Sequence, residues 1–355
     1  MSKQELCYVK QAVRFTKDWD VYQIILRQVF KMIVNEGKTQ VFLTKLMVML
    51  FAVSCFLVSF SLEIQAMTRT LKTQPVIVLA AFGTTTKANV TYDFFEKQLK
   101  DELPENFKQL EVRWAFTSEI VRERANKKFH EAGIQKRYRS LVQVLADLDD
   151  EGYRKVIVQP LHIFPGQEYE GVKKVVKAFE LIGLNIRLGG TLLHEWSSVF
   201  ETVGQLQSEF LGADEGCTIL VAHGTPKTFP GSNATYLGLD RYVSSTYPNV
   251  FVGGVEGVLT RSQAIGKVKQ CTTKRVRLVP FMYVAGDHIM NDIMGIEPAD
   301  GKLSWAMELK DAGLVVDSVQ LNYMEEPIFK GLGFYPGINS IFIRQIVENL
   351  NDLTF

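Results

Sequence analysis

The segment VLAAFGT at residues 78–84 returns as ILVAHGT at residues 219–225. A second pair follows in the same order, because KVIVQPLHIFPGQE at 155–168 matches RVRLVPFMYVAGDH at 275–288. Ordered matches of this kind indicate that one structural unit has been duplicated within the chain. The two copies therefore predict two lobes of the same architecture.

Each copy alternates short apolar runs, rich in β-branched residues, with longer amphipathic stretches. Runs bounded by Gly or Pro and separated by helical lengths predict a parallel sheet with helices on both faces. The predicted strands are residues 76–82, 110–116, 155–164, 218–223, 250–256 and 275–284, and the predicted helices are 88–103, 119–148, 233–245 and 261–270. The fold class is α/β, with two similar lobes that each consist of a parallel sheet flanked by helices.

The repeat also divides the chain into domains. We place the joint between the lobes in the loop after residue 184 and around 211–216. The predicted parts are a leader with a signal segment (1–66), a first lobe (67–210), a second lobe (211–336) and a closing helix of helical apolar spacing (337–355).

Composition and missing motifs exclude several classes of protein. The chain of 355 residues is 46% hydrophobic and has a formal charge of +1, so it lacks the basic field that a nucleic-acid partner requires. Its four cysteines form no CxxC pair, which argues against structural zinc and thioredoxin-like sites. GxGxxG, GxxxxGK[ST] and GxSxG motifs are absent, which argues against dinucleotide, nucleotide and serine-hydrolase sites. A bound metal would need histidine and carboxylate ligands.

An uncharged apolar run, LMVMLFAVSCFLVSFSL, occupies residues 46–62 after several lysines. Its 17 residues fall short of the ~20 that cross a bilayer, and the layout is typical of a secretory signal cut after Ala66. We therefore expect a periplasmic protein. The alternatives are a membrane anchor, a lipoprotein modified at Cys55, and a cytoplasmic protein whose translation starts at Met67.

The two copies differ in chemistry at three aligned pairs of positions, namely Phe82 and His223, Phe116 and Glu256, and Glu168 and His288. All six lie at or just past predicted strand ends, the edge where open α/β sheets bind ligands. In the second copy each position carries a side chain that can bind metal. Two histidines and one glutamate form a ligand set that leaves coordination positions open, as a working metal site needs.

Simpler structural roles compete with these assignments. A histidine at a strand end is often only a hydrogen-bonded structural residue, and Glu168 has the alternative of a solvated loop acid. His162 aligns with Met282, which favours a packing role, and His130 and His194 receive no functional role. Helix capping explains the polar residues around His288, since Asp and Asn cap helix N-termini well: Asp287, Asn291 and Asp292.

A resemblance to a known family rests on the segments AAFGTT, AFTSEIV, QPLHIFPGQEYE, AHGTP, GGVEG, PFMYVAGDHIMNDIMG and GLGFYPGI. Over about residues 75–352, these resemble the anaerobic-pathway cobalt chelatases that act on sirohydrochlorin, within the class II chelatases. The resemblance implies a cleft between two lobes that binds a tetrapyrrole. It also implies a divalent ion held by His223, Glu256 and His288, with Glu168 facing the same cleft.

We therefore expect a metal chelatase, a lyase that inserts Co²⁺ or Fe²⁺ into a sirohydrochlorin-type tetrapyrrole in cobalamin biosynthesis. His223 and His288 would bind the metal or accept pyrrole protons. Histidine side chains in general have an unperturbed pKa of about 6.5, so the neutral imidazole that these roles need is available near neutral pH. Glu256 would complete the ion's shell. Glu168 would act from the opposite face, either as a proton acceptor or as an electrostatic partner for the ring nitrogens. The metal is a substrate, no residue is assigned to cofactor binding, and haem is kept as an alternative ligand.

The export signal supports an alternative from another class, because fold alone does not decide activity. An exported protein of chelatase fold could bind haem or another tetrapyrrole and take part in iron or haem acquisition. Such a protein would have an outer-membrane or transport partner. Assembly into a homo-oligomer is left open.

Overall fold

The computed structural model describes residues 23–24, 27–28, 46–54, 70–298, 301–323 and 325–354. The chain divides into two compact units, Met1–Thr70 and Leu71–Phe355. In the first unit residues 46–54, the start of the predicted signal run, are helical with exposed side chains. Cys55, Ala66 and Met67, on which the lipidation, cleavage and start-site predictions depend, lie outside the described residues. Among the described residues, no helix is both long enough and apolar enough to cross a membrane.

The second unit is built on two four-stranded sheets. The strands are β1 (Val76–Ala81), β2 (Val112–Phe116), β3 (Lys155–Pro160), β4 (Asn185–Leu188), β5 (Cys217–Ala222), β6 (Val250–Gly254), β7 (Arg275–Phe281) and β8 (Val315–Ser318). One sheet has the order β2-β1-β3-β4 and the other the order β6-β5-β7-β8, and all neighbouring strands are parallel. The same order in both sheets confirms the predicted α/β class with two similar lobes.

Helices connect the strands, as expected for parallel neighbours. They are α1 (Val90–Glu102), α2 (Glu119–Glu131), α3 (Leu141–Asp150), α4 (Gln167–Leu181), α5 (Trp196–Leu206), α6 (Pro230–Thr246), α7 (Arg261–Val268), α8 (Trp305–Asp311) and α9 (Pro336–Thr354). The prediction of one helix over 119–148 is wrong. Gly133 follows α2 with a φ of +66°, and Ser140 begins α3 with a capping box, so two helices form.

Four short strands were not predicted. The expected loop after residue 184 is instead the edge strand β4, followed by α5, and β8 forms the matching edge of the second sheet. A separate antiparallel hairpin contains β9 (Gln320–Tyr323) and β10 (Glu326–Phe329). Each of these strands has only four residues, which is too short for a clear alternating pattern.

Strand residues alternate between two hydrophobic cores, because successive side chains of a strand point to opposite faces. In β1, Val76 and Val78 pack with residues of α3 and α4 on the outer face. Ile77 and Leu79 belong instead to a core that also contains Leu220 of β5 and much of α9. The inner faces of the two sheets therefore share one continuous core, which joins the lobes.

The closing helix α9 returns to the first lobe. Asn339 Nδ2 donates to Gln98 Oε1 of α1 at 2.9 Å, and the Gly190 amide donates to Gln345 Oε1 at 2.7 Å. Its apolar residues lie in the shared core. The predicted closing helix is present, and it packs the C-terminal end of the chain against the first lobe.

A disulfide joins Cys217, at the start of β5, to Cys271, which follows α7. The two Cα atoms are 6.4 Å apart, and the cysteines are separated by 54 positions in the chain. Sequence reasoning had left this pairing open. The bridge lies at the N-terminal end of β5, opposite the end at which His223 follows the strand.

Candidate active site

The residues predicted to bind metal lie at one edge of the second sheet. His223 directly follows β5, Glu256 is the second residue after β6, and His288 lies in the loop after β7. Because β5 lies between β6 and β7, the three connecting loops are neighbours. The sequence placed these residues at strand ends, and the strand order brings those ends together.

The loops that carry His223 and Glu256 are joined through their backbones. The Glu256 amide donates to the His223 carbonyl oxygen at 3.0 Å, which continues the contact between β5 and β6 beyond the strands. Gly224 has a φ of +89°, and a Cβ at this position would overlap the carbonyl oxygen of Glu256. A glycine is therefore required for the close approach of the two loops. His223 Nδ1 lies 3.6 Å from Glu256 Oε1.

His288 begins a π-helical turn, Ile289–Ile293. Its ring centroid lies 4.7 Å from that of His223, with an angle of 77° between the rings. His288 Nδ1 lies 2.5 Å from Asp292 Oδ2. Single π-turns occur frequently at functional sites, and this one carries a histidine that faces another histidine.

The three side chains are accessible to solutes. His223, Glu256 and His288 are 46%, 43% and 41% exposed. Within the described ranges, no group of three His, Cys, Asp or Glu side chains is close enough to hold a metal ion. His223 instead approaches Glu256 and His288 in separate pairs. Coordination of one ion by all three therefore stays a prediction.

The first lobe reaches the same edge. Ser232 Oγ at the start of α6 donates to the Pro165 carbonyl oxygen at 3.0 Å, just before Glu168 in the first turn of α4. Burial, and then the negative charges of Glu256 and Glu168, raise the pKa of Tyr236. The two glutamates therefore influence the same phenol from different lobes. The role of Glu168 in proton transfer stays a prediction.

A tyrosine in each lobe supports the loop after the first strand, and sequence reasoning missed both. The Gly83 amide donates to the Tyr92 hydroxyl at 3.1 Å, and the Gly224 amide donates to the Tyr236 hydroxyl at 3.0 Å. The signal was a Thr-Tyr pair in each copy, at residues 91–92 and 235–236. Tyr236 is thus a support for the loop that carries His223.

The structure also tests the capping interpretation of Asp292 and the packing role of His162. The capping interpretation of Asp292 is wrong, because its carboxylate contacts the His288 ring. The spacing of four residues, which places side chains on one helical face, was the available signal. His162 is buried, as its alignment with Met282 predicts, and burial lowers the pKa of His162 to about 4.

Comparison with known proteins agrees with these motifs. Residues 75–351 match the family model described as cobalt chelatase (CbiK). The chain belongs to the cobalt chelatase (CbiK) family. This confirms the resemblance drawn from the sequence segments, and it identifies the protein as a metal chelatase.

This chain is similar to two sirohydrochlorin cobaltochelatases and to a solved structure. It is 28% identical over 286 residues to the sirohydrochlorin cobaltochelatase CbiKC of Nitratidesulfovibrio vulgaris, covering 79% of this chain and 92% of the relative. It is 27% identical over 211 residues to the sirohydrochlorin cobaltochelatase of Salmonella typhimurium, covering 59% and 74%. SirB from Bacillus subtilis with Fe3+ aligns at 12% identity with a TM-score of 0.48, covering 79% and 96%.

Proposed function

We propose that this chelatase inserts Co²⁺ into a sirohydrochlorin-type tetrapyrrole. The observation that carries the proposal is the meeting of His223, His288 and Glu256 at one sheet edge in a cobalt chelatase family chain. The names of the two relatives, both sirohydrochlorin cobaltochelatases, support the choice of substrate.

The reaction requires a metal that is held loosely and a base. Insertion breaks two pyrrole N–H bonds, forms metal–nitrogen bonds to the macrocycle and releases two protons. Imidazole and carboxylate ligands suit a divalent transition metal, and a three-residue set leaves positions open for the incoming ring nitrogens. The partial exposure of His223, Glu256 and His288 is suited to a metal that must arrive from solvent and leave with the product.

The test is an insertion assay. The purified protein is mixed with metal-free sirohydrochlorin and Co²⁺, and absorption spectroscopy monitors the insertion of the metal. We expect His223→Ala and His288→Ala each to abolish insertion and to leave the circular dichroism spectrum unchanged. His130→Ala is a matched control, because His130 is an exposed histidine on α2. Insertion at the wild-type rate in His223→Ala or His288→Ala would refute the assignment.

Fe²⁺ is the alternative metal substrate. Because imidazole and carboxylate ligands accept both ions, the residues alone do not select between them. Competition between equal concentrations of Co²⁺ and Fe²⁺ under anaerobic conditions measures the preference. We expect cobalt to be inserted faster, and faster iron insertion would assign the chain to iron.

We also propose that the protein works in the periplasm. The disulfide between Cys217 and Cys271 supports this location, because disulfides persist mainly in oxidising compartments. The apolar run at 46–62 supports it independently. Cell fractionation, N-terminal sequencing and thiol labelling test the proposal. We expect a periplasmic protein beginning at Met67 with Cys217 and Cys271 blocked, whereas a purely cytosolic protein with both thiols free would refute it.

A periplasmic location favours haem or tetrapyrrole binding as a second candidate function, with a role in iron or haem acquisition. A protein in this role would bind haem in a stoichiometric amount and would not insert metal into sirohydrochlorin. The same spectroscopic assay, repeated with haem, separates the two functions. An outer-membrane or transport partner stays a prediction, and assembly into a homo-oligomer stays open.

A further inference from the structure

The hydrogen bond between His288 and Asp292 is short and local. His288 Nδ1 and Asp292 Oδ2 are 2.5 Å apart, and the residues are four positions apart across the π-helical turn. A carboxylate only accepts hydrogen bonds, so the imidazole nitrogen that faces Asp292 must carry the proton. In the neutral ring, which is the form that binds a metal, the other nitrogen, Nε2, then carries the free lone pair.

The turn itself is held firmly, so the geometry of this pair is constrained. Ile289 and Ile293 are fully buried in the hydrophobic core on the outer face of the second sheet, which also contains Ile219 and Val221 of β5. The Met294 amide donates to the Ile289 carbonyl oxygen at 2.9 Å, and Ser304 Oγ donates to the Gly295 carbonyl oxygen at 2.7 Å. Buried side chains on one face thus anchor the turn, while His288 and Asp292 remain partly exposed.

We propose that Asp292 is a positioning residue for metal capture by His288. It holds the imidazole in the Nδ1-protonated tautomer and presents Nε2 to the incoming ion. Metal-binding histidines commonly donate their second ring N–H to a carboxylate, which fixes both tautomer and ring orientation. The inference rests on the proposed function, in which His288 is a metal ligand.

The carboxylates near the two histidines differ, and this difference distinguishes the role of Asp292 from that of Glu256. The carboxylate near His223 belongs to Glu256, which is itself a predicted ligand. Asp292 comes from the same turn as His288 and is bonded to the nitrogen that the metal would not use. It therefore can orient one imidazole without entering the metal's shell.

The turn also provides a matched control. Asp287 has the same charge and is adjacent to His288, but its Oδ1 accepts a hydrogen bond from Asn291 Nδ2 at 2.9 Å. Removal of Asp287 deletes one negative charge near the ion and leaves the imidazole contact intact. A comparison of Asp292→Ala with Asp287→Ala therefore separates the hydrogen bond from the local charge.

The experiment measures Co²⁺ alone binding to the full-length protein by calorimetry, together with ¹⁵N NMR of the histidine rings in the metal-free protein. We expect Asp292→Ala to weaken Co²⁺ binding by about 10- to 100-fold and to shift His288 toward a mixture of tautomers. Asp292→Asn should restore most of the affinity, because its amide oxygen accepts the same hydrogen bond. Asp287→Ala should bind Co²⁺ nearly as the wild type does.

Three results would overturn the proposal while the wild type still binds Co²⁺. These are equal losses in Asp292→Ala and Asp287→Ala, no rescue by Asp292→Asn, and an unchanged His288 tautomer in Asp292→Ala. Circular dichroism checks that each variant is folded. A wild-type protein that binds no Co²⁺ would instead refute the metal-ligand role of His288, and with it both this inference and the proposed site.

Discussion

Reduction of the Cys217–Cys271 disulfide should lower the stability of the protein substantially. The bridge closes a loop that spans 54 positions and contains β5, α6, β6 and α7. In the chain-entropy model, the bridge removes about 14 cal/mol/K from the unfolded state for a loop of this length, or about 4 kcal/mol at 25 °C. We therefore expect the free energy of unfolding to fall by about 4 kcal/mol when the bridge is lost.

Urea unfolding followed by circular dichroism tests this magnitude. The reduced wild type is the best comparison, because it keeps both sulfur atoms and Cys217 is buried in the outer core. The double variant Cys217→Ala, Cys271→Ser should be destabilised similarly and should not respond to reductant, which serves as the control. If oxidised and reduced wild type unfold at the same urea concentration, the loop-entropy argument is wrong.

The same comparison separates stability from catalysis. Cys217 begins β5 and His223 follows its end, so a strand of about 20 Å lies between the bridge and the site. We expect the reduced protein to insert Co²⁺ at the oxidised rate in the absence of denaturant. Loss of insertion with retained folding would mean that the bridge controls the site directly.

Three further predictions concern single residues. Gly224→Ala should abolish insertion and should lower the free energy of unfolding by at least about 1 kcal/mol more than Gly133→Ala does. Both glycines have a positive φ, but a Cβ would overlap the Glu256 carbonyl oxygen at Gly224 and would meet nothing at Gly133. Equal urea midpoints for the two variants would contradict this. Burial lowers the pKa of His162 to about 4, so protonation of this side chain favours the unfolded chain. The contribution of His162 to the free energy of unfolding is therefore complete above about pH 6.5, and it falls by about 2 kcal/mol between about pH 7 and about pH 5. His162→Met should remove that component of the pH dependence in urea unfolding, and an unchanged dependence would count against it. Glu168→Gln should slow insertion by about 10²-fold if Glu168 is a general base, while Glu170→Gln, altered in the same first turn of α4, should not. Equal rates for the two variants would mean that Glu168 is only a solvated acid of this helical turn.

The sequence by itself determined the two parallel sheets and the edge that carries the site. The strand signal is local, because β-branched runs and their flanking glycines and prolines act on neighbouring residues. The duplicated segments then placed His223, Glu256 and His288 at equivalent strand ends. Parallel strands direct their C-terminal ends to one edge, so the location of these residues followed from the pattern.

Only the tertiary structure decided which distant or ambiguous groups meet. The return of α9 to the first lobe, the pairing of Cys217 with Cys271 and the support of Gly224 by Tyr236 depend on how finished elements pack. Asp292 was predicted only as a helix cap. The π-turn, which the buried Ile289 and Ile293 anchor, places its carboxylate against the His288 ring instead. Periodicity describes which face of an element is apolar, whereas packing in three dimensions determines what that face contacts.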